Sequence, residues 1–300
     1  MAFFQQPPRL HHPLHDDRVL RSFLDRVLPP EARRIVLPAL EDLGELARGR
    51  LYARSLEDRP NEPRLVSFDP WGRRIDRVET TRLWEEAREV ACDFGLVGLP
   101  YERKVGELSR VHQAASIHLF HPSSDVYTCP LAMSDGAAKT LVVHDHRALL
   151  DRSLPRLTAR STARSWTSGQ WMTERTGGSD VGLSETVARR DGERWRLYGT
   201  KWFTSAAASE MALTLARPEG NGPGGKGLAL FYVETFDPDG GRNGIVVHRL
   251  KEKLGTRKLP TAELSLEGTL ATPVAGLADA RRFTERTPRC FTSMWRRGIT

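Results

Sequence analysis

Residues 170–206 read QWMTERTGGSDVGLSETVARRDGERWRLYGTKWFTSA, and this segment decides the fold. Trp171-Met172-Thr173 is a short apolar strand. Arg175 to Asp180 follows as a polar loop in which Gly177 and Gly178 permit backbone angles and close approaches that a side chain would block. Thr186-Val187-Ala188 and Trp195-Arg196-Leu197-Tyr198 flank Asp191-Gly192, a dipeptide suited to a tight turn, so the pair reads as a β-hairpin. A further turn and a last strand complete the expected pattern.

Downstream, residues 211–216, 228–233, 245–247 and 261–266 are short apolar runs with β-favouring residues. The glycines of residues 218–226 make a loop and not a phosphate-binding one, because no GKS or GKT follows. Upstream, the apolar spacing is helical. Val19, Leu20, Phe23, Leu24 and Val27 define one helix, stopped by Pro29-Pro30. Residues 31–56 carry Ile35, Leu40, Leu43, Leu46 and Leu51, with Pro38 a kink or boundary. Residues 59–77 form a Pro-rich connector holding Leu65-Val66-Ser67-Phe68 and the turn Asp69-Pro70-Trp71-Gly72. Helical spacing resumes over 81–94 and 106–120. The fold class is α+β: an N-terminal all-α helical domain over residues 1–166, then an antiparallel, barrel-like β domain over 167–278.

MTExxGGSD, followed about two dozen residues later by GxKWFTS, resembles the paired motifs of the middle domain of the acyl-CoA dehydrogenase flavoproteins. Residues 236–243 and 249–257 are most similar to the AidB-like, alkylation-response branch. The resemblance runs from about Ser67 to Gly276. It implies FAD as cofactor and an acyl-CoA thioester as substrate, with flavin-linked α,β-dehydrogenation as the reaction. It carries Gln170, Trp171, Met172, Thr173, Gly178 and Ser179 onto one flavin-contacting segment, and Phe203, Thr204 and Ser205 onto the other. Phe203 takes the place of the family's frequent Trp, and Ser205 that of the hydroxyl near flavin N5. Ser179 falls where the family meets acyl-CoA. The residue types suit flavin binding, with a flat apolar slot from Met172 and Phe203, hydroxyls from Thr173 and Ser205, and close backbone approach beside Gly177 and Gly178. Taken on the residues alone, the same stretch is an ordinary hairpin corner, with Thr173 and Ser205 on edge strands and Phe203 in the core. Residues 125–141 resemble the family's helix near the acyl tail and flavin; Cys129-Pro130 there also fits a core helix begun by Pro in its first turn.

In the family a four-helix bundle follows, carrying the catalytic Glu and the homo-oligomer contacts. This chain is expected to lack it, so no catalytic residue is assigned, Glu174 is expected to be structural, and oligomerisation is doubtful. Residues 279–300 are Arg-rich and leave the family pattern abruptly after Gly276. They read as a divergent helix or, the favoured alternative, as a shifted frame or misplaced gene end. The expectation is a truncated form without turnover; the alternatives are a flavin- or acyl-CoA-binding module and an AidB-like DNA-associated protein.

Composition narrows these classes. The 300 residues are 39% hydrophobic and 28% charged, ordinary globular material long enough for two domains. Of the net charge of +7, the last 22 residues contribute +4, leaving +3 for the other 278. Nucleic-acid binding is therefore expected only nonspecifically, through the tail. Cys92, Cys129 and Cys290 lie too far apart for a disulfide framework or zinc site, which fits a reducing, cytoplasmic setting. The opening MAFFQQPPRLHHPLHDD has no apolar run suited to a signal peptide or membrane span and reads as an arm or frayed end. His112, His118 and His121 share one helical stretch, but no carboxylate or cysteine completes a metal set there, so no metal ligand is assigned. Arg257 is placed to approach phosphate groups of a ligand or a partner subunit.

Overall fold

The computed structural model describes residues 3–6 and 10–277. The Arg-rich tail of 279–300, and with it Cys290, lies outside the described residues. Helices α1 (Pro13–Asp16), α2 (Arg18–Val27) and α3 (Pro30–Leu46) open the chain, and a π-helical turn at Ala47–Leu51 leads into α4 (Tyr52–Glu57). Asp17 starts α2 by accepting from the Leu20 N–H at 2.8 Å, which satisfies one of the donors that a helix N-terminus leaves free. Pro30 then takes the first turn of α3, where a missing N–H costs nothing, and Pro38 lies inside α3 without ending it.

The Pro-rich connector holds more structure than its composition suggests. Strands β1 (Arg64–Phe68) and β2 (Arg74–Glu79) pair antiparallel around the 69–72 turn, so the N-terminal region is helical but not all-α. Asp76 explains why the hairpin stays. It is 2% exposed, and its Oδ2 accepts from the Val247 N–H at 2.9 Å and from Arg74 Nε at 2.9 Å, which docks the hairpin on a later strand. Pairing partners this distant in sequence leave no local signature.

Helices α5 (Arg82–Asp93), α6 (Leu99–Glu102), α7 (Ser109–Phe120), α8 (Thr128–His144) and α9 (Arg147–Leu157) complete the helical part. Leu43, Leu83, Trp84, Phe120 and Tyr127 fill one core there; Leu24, Val36, Leu40 and Leu119 fill a second between α2, α3 and α7.

Among the described residues the second half is one sheet of seven strands: β3 (Ser168–Trp171), β4 (Val187–Asp191), β5 (Arg194–Ser205), β6 (Met211–Pro218), β7 (Ala229–Glu234), β8 (Ile245–Leu250) and β9 (Thr261–Ala275). Pairing runs β6–β4–β5–β9–β7 and back to β6, which closes a barrel-like circuit; β8 adds to β9 and β3 to β6. The sheet is mixed and not purely antiparallel, because β6 runs parallel to both β3 and β4. Strand β6 reads as a continuous buried run since both of its faces are covered. Met211, Leu213 and Leu215 pack with Leu141, Leu149 and Leu157 of α8 and α9, while Ala212 and Ala216 leave room inside for Trp171 and Phe231. The turn expected before the last strand of the segment is absent among the described residues: β5 runs unbroken from Arg194 to Ser205. Gly199 serves a close approach, as a Cβ there would lie 2.4 Å from Thr186 Oγ1 and 2.7 Å from Thr186 Cα.

Candidate functional site

The two motifs meet at a buried ion pair. Lys201 Nζ lies 2.6 Å from Glu174 Oε1 and donates to the Leu215 carbonyl at 2.8 Å, with Lys201 fully buried and Glu174 4% exposed. Glu174 also accepts from the Thr186 hydroxyl at 2.6 Å and the Glu185 N–H at 2.7 Å. Burial pushes this carboxyl up, but the Lys201 ammonium and these donors outweigh it and hold it below its ordinary value of 4.5. A carboxylate so engaged is a structural joint, in keeping with the expectation for Glu174. A second tie, from the Trp202 N–H to the Thr173 carbonyl at 3.0 Å, sets the end of the MTE segment beside β5.

What β5 presents there depends on a β-bulge. Lys201 pairs with Leu264 and Thr204 with Ala262, so Trp202 and Phe203 together oppose the single residue Glu263. The bulge breaks the alternation of sides. Lys201 and Thr204 are buried on either side of it, whereas Trp202 is partly exposed and Phe203 is 53% exposed. Lys251 rests over both rings, its Nζ 3.7 Å from the Trp202 centroid and 4.5 Å from that of Phe203, and 2.6 Å from Glu263 Oε1. Phe203 is thus a surface ring held at one side, not a core residue.

The other residues singled out in the sequence divide in the same way. Met172 and Thr173 are half-buried, and Met172 packs against the core shared by β6, β7 and the α8–α9 pair. Gly178 lies against the Thr173 side chain, since a Cβ at 178 would stand 2.9 Å from Thr173 Cγ2. Ser179 is exposed in the loop, beside Asp180, whose carboxylate accepts from the Gly182 N–H at 2.9 Å. Ser205 is half-buried, with its hydroxyl 3.4 Å from that of Thr261. Gln170 is half-buried on β3. Two residues turn inward. Trp171 is 1% exposed in the barrel core with its carbonyl taken by the Thr214 hydroxyl, and the Thr204 hydroxyl donates to the Ala262 carbonyl.

Three features escaped the sequence. Trp202 stands out only through the bulge, and Lys251 only through the β8–β9 pairing. Lys253, which donates to the Leu259 carbonyl at 2.7 Å and the Thr261 hydroxyl at 3.0 Å, bears on Cys129 of α8. Burial nevertheless pushes the Cys129 thiol up to about 11, which leaves it un-ionised and unreactive at neutral pH. The three histidines of the α7 region do not converge. His112 is buried, and burial with the Arg160 charge lowers it to about 4. His118 Nε2 meets Asp17 Oδ2 at 2.8 Å, and His121 Nδ1 meets the Thr128 hydroxyl at 2.8 Å. Arg257 pairs with Glu62 at the surface.

Met172, Thr173, Phe203 and Ser205 thus form a shelf of partly exposed apolar and hydroxyl side chains on a strand–loop joint that spends its charges internally. The chain itself matches known proteins over most of its length. Residues 169–269 match the model for the acyl-CoA dehydrogenase middle domain, and residues 5–162, more than half the chain, match that for the adaptive response protein AidB N-terminal domain. The chain belongs to the acyl-CoA dehydrogenase family. It is 39% identical over 280 residues to acyl-CoA dehydrogenase family member 11 of Caenorhabditis elegans, a match covering 90% of this chain and 45% of that protein. The structure of Caenorhabditis elegans ACDH-11 in complex with C11-CoA superposes with a TM-score of 0.87 at 36% identity, covering 99% of this chain and 53% of that one. The apo form of Bd2924 gives a TM-score of 0.90 at 44% identity, covering 98% and 60%. The chain spans about half the length of the curated relatives it matches. Among the described residues, no helix is long and apolar enough to cross a membrane.

Proposed function

We propose that this chain supplies the flavin-facing and acyl-CoA-facing surfaces of an acyl-CoA dehydrogenase of the AidB-like branch. Family members bind FAD, which accepts the hydride when an acyl-CoA is oxidised. The observation that carries the proposal is the division of the two motifs into a saturated inner face and an open outer one. Phe203, half-exposed on its bulge, offers a flat apolar surface for an aromatic ring system; Ser205 two residues along β5 and Thr173, tied to β5 through the Trp202 N–H, offer partly exposed hydroxyls. Gly178 fits this arrangement because a side chain there would press on Thr173. Ser179, exposed at the far end of the loop, is assigned to the acyl-CoA. Trp171 and Thr204 support the surface from within and do not reach a ligand with their side chains.

Removal of the proton next to the thioester requires a carboxylate within hydrogen-bond reach. Glu174, the carboxylate in the motif, is held ionised by Lys201 and buried away from the shelf, so it is not the base. If Glu174 takes no proton, Glu174→Gln should leave the rate at which acyl-CoA bleaches bound flavin, measured anaerobically, unchanged; a loss of bleaching confined to this variant would return Glu174 to the role of base. For the shelf itself, Ser205→Ala should shift the absorption spectrum of bound FAD while the protein stays folded. An unchanged spectrum would remove Ser205 from the site.

A further inference from the structure

A cluster of side chains with metal-ligating chemistry lies where α1 meets α3. His12 precedes α1 and His15 sits three residues on, a spacing that lets both rings reach one partner on α3. That partner is Glu41. His12 Nε2 lies 3.0 Å from the Glu41 backbone carbonyl and 3.5 Å from Glu41 Oε2, and His15 Nε2 lies 2.7 Å from the same carboxylate oxygen. The imidazole rings stack with centroids 4.2 Å apart and planes 25° from parallel. One nitrogen from each histidine and one carboxylate oxygen all fall within 4.8 Å of one another.

The position is built into the helix. Gly44, a residue that weakens a helix interior by about 1 kcal/mol relative to Ala, lies where the His12 ring rests. A Cβ at 44 would stand 2.3 Å from His12 Cε1, so the ring occupies the space a side chain would fill. The His12 side chain is 11% exposed, and its Nδ1 is buried without a hydrogen-bonding partner. His15 and Glu41 are about half-exposed and border an open cavity of about 450 Å³. Leu24, Leu37, Arg21 and Asp25 share its lining.

We propose that His12, His15 and Glu41 bind one divalent transition-metal ion of the zinc class, which clips α1 onto α3. Two imidazoles and a carboxylate are borderline ligands of the kind zinc takes, with the fourth position left to water. In a tetrahedral site with bonds of about 2.0–2.2 Å, ligand atoms stand about 3.3–3.6 Å apart. The His12–Glu41 carboxylate separation meets this once His12 Nε2 exchanges its contact with the Glu41 carbonyl for the ion, and the exposed His15 needs a small shift away from the carboxylate. The Arg21 guanidinium on the cavity rim opposes a cation, and the Asp25 carboxylate beside it offsets that charge. Closing the loop between residues 12 and 41 would add a second anchor to a helix of only four residues whose one buried side chain is Leu14.

The test is a titration of the whole chain with Co(II), followed by Zn(II) competition, together with thermal unfolding with and without zinc. The expected result is one equivalent of cobalt with the visible bands of four-coordinate nitrogen and oxygen ligation, displaced by zinc, and a higher Tm in zinc. His15→Ala and Glu41→Gln, both at partly exposed positions, should weaken binding at least about tenfold and abolish the rise in Tm. His118→Ala should change neither. The absence of a zinc effect on Tm would overturn the proposal, as would a thiolate charge-transfer band or binding equal in Glu41→Gln and wild type. Glu41 would then act only as a hydrogen-bond acceptor for the two rings.

Discussion

The inner and outer faces of strand β5 carry residues from one short motif and treat them in opposite ways. On the inner face Lys201 is consumed by Glu174 and the Leu215 carbonyl, and Thr204 by the Ala262 carbonyl. On the outer face Phe203 stands half-exposed and Ser205 has only a long contact to Thr261. The difference teaches that a motif is two sets of residues interleaved, one that builds the surface and one that is presented on it. The bulge at Trp202-Phe203 sorts residues between the two sets.

If that division is real, disturbing the inner face should cost stability first. Lys201→Met leaves the Glu174 carboxylate buried without its partner and should destabilise the chain by about 3–5 kcal/mol in denaturant unfolding. The double variant Lys201→Met/Glu174→Gln should recover much of that loss, because it removes the stranded charge. A single variant as stable as wild type would show that the pair is not the joint between the motifs. Gly199→Ala acts on the same face. Its Cβ would press on Thr186, which itself donates to Glu174, and the expected cost is about 1–3 kcal/mol.

The inner face should also announce itself in acid. Since the folded carboxyl of Glu174 lies below its ordinary value of 4.5, its contribution to stability is complete above that pH and is lost as pH falls toward the folded value. Unfolding curves should lose stability below about pH 4.5 more steeply for wild type than for the double variant. Equal slopes would mean that other carboxylates dominate the acid limb.

Much of this organisation was legible in the sequence, and the omissions have physical causes. Helix α2 was marked by the spacing of Val19, Leu20, Phe23, Leu24 and Val27, and its stop by Pro29-Pro30. The Asp191-Gly192 hairpin is present in register, with Ala188 opposite Leu197. These signals are local. The β1–β2 hairpin has the composition of a connector, because its anchoring partner, Val247, lies far along the chain. The parallel pairings of β6 were missed for the same reason. Within the site, the place of Glu174 in the motif points to a structural role, but nothing local marks Lys201 as its partner, because charge burial depends on packing that periodicity does not reveal. The exposure of Phe203 and the prominence of Trp202 both follow from the single extra residue opposite Glu263, which no spacing rule exposes. His12, His15 and Glu41 come together only when α1 folds back on α3.

Flavin affinity tests the central division most directly. FAD titrated into the wild-type chain and into Phe203→Ala, with folding stability measured in parallel, separates presentation from construction. Phe203→Ala should weaken FAD binding at least about tenfold, a loss of about 1.4 kcal/mol, while unfolding stability stays within about 0.5 kcal/mol of wild type. Equal affinity in the two proteins, or a loss of affinity that only follows a loss of stability, would contradict the account.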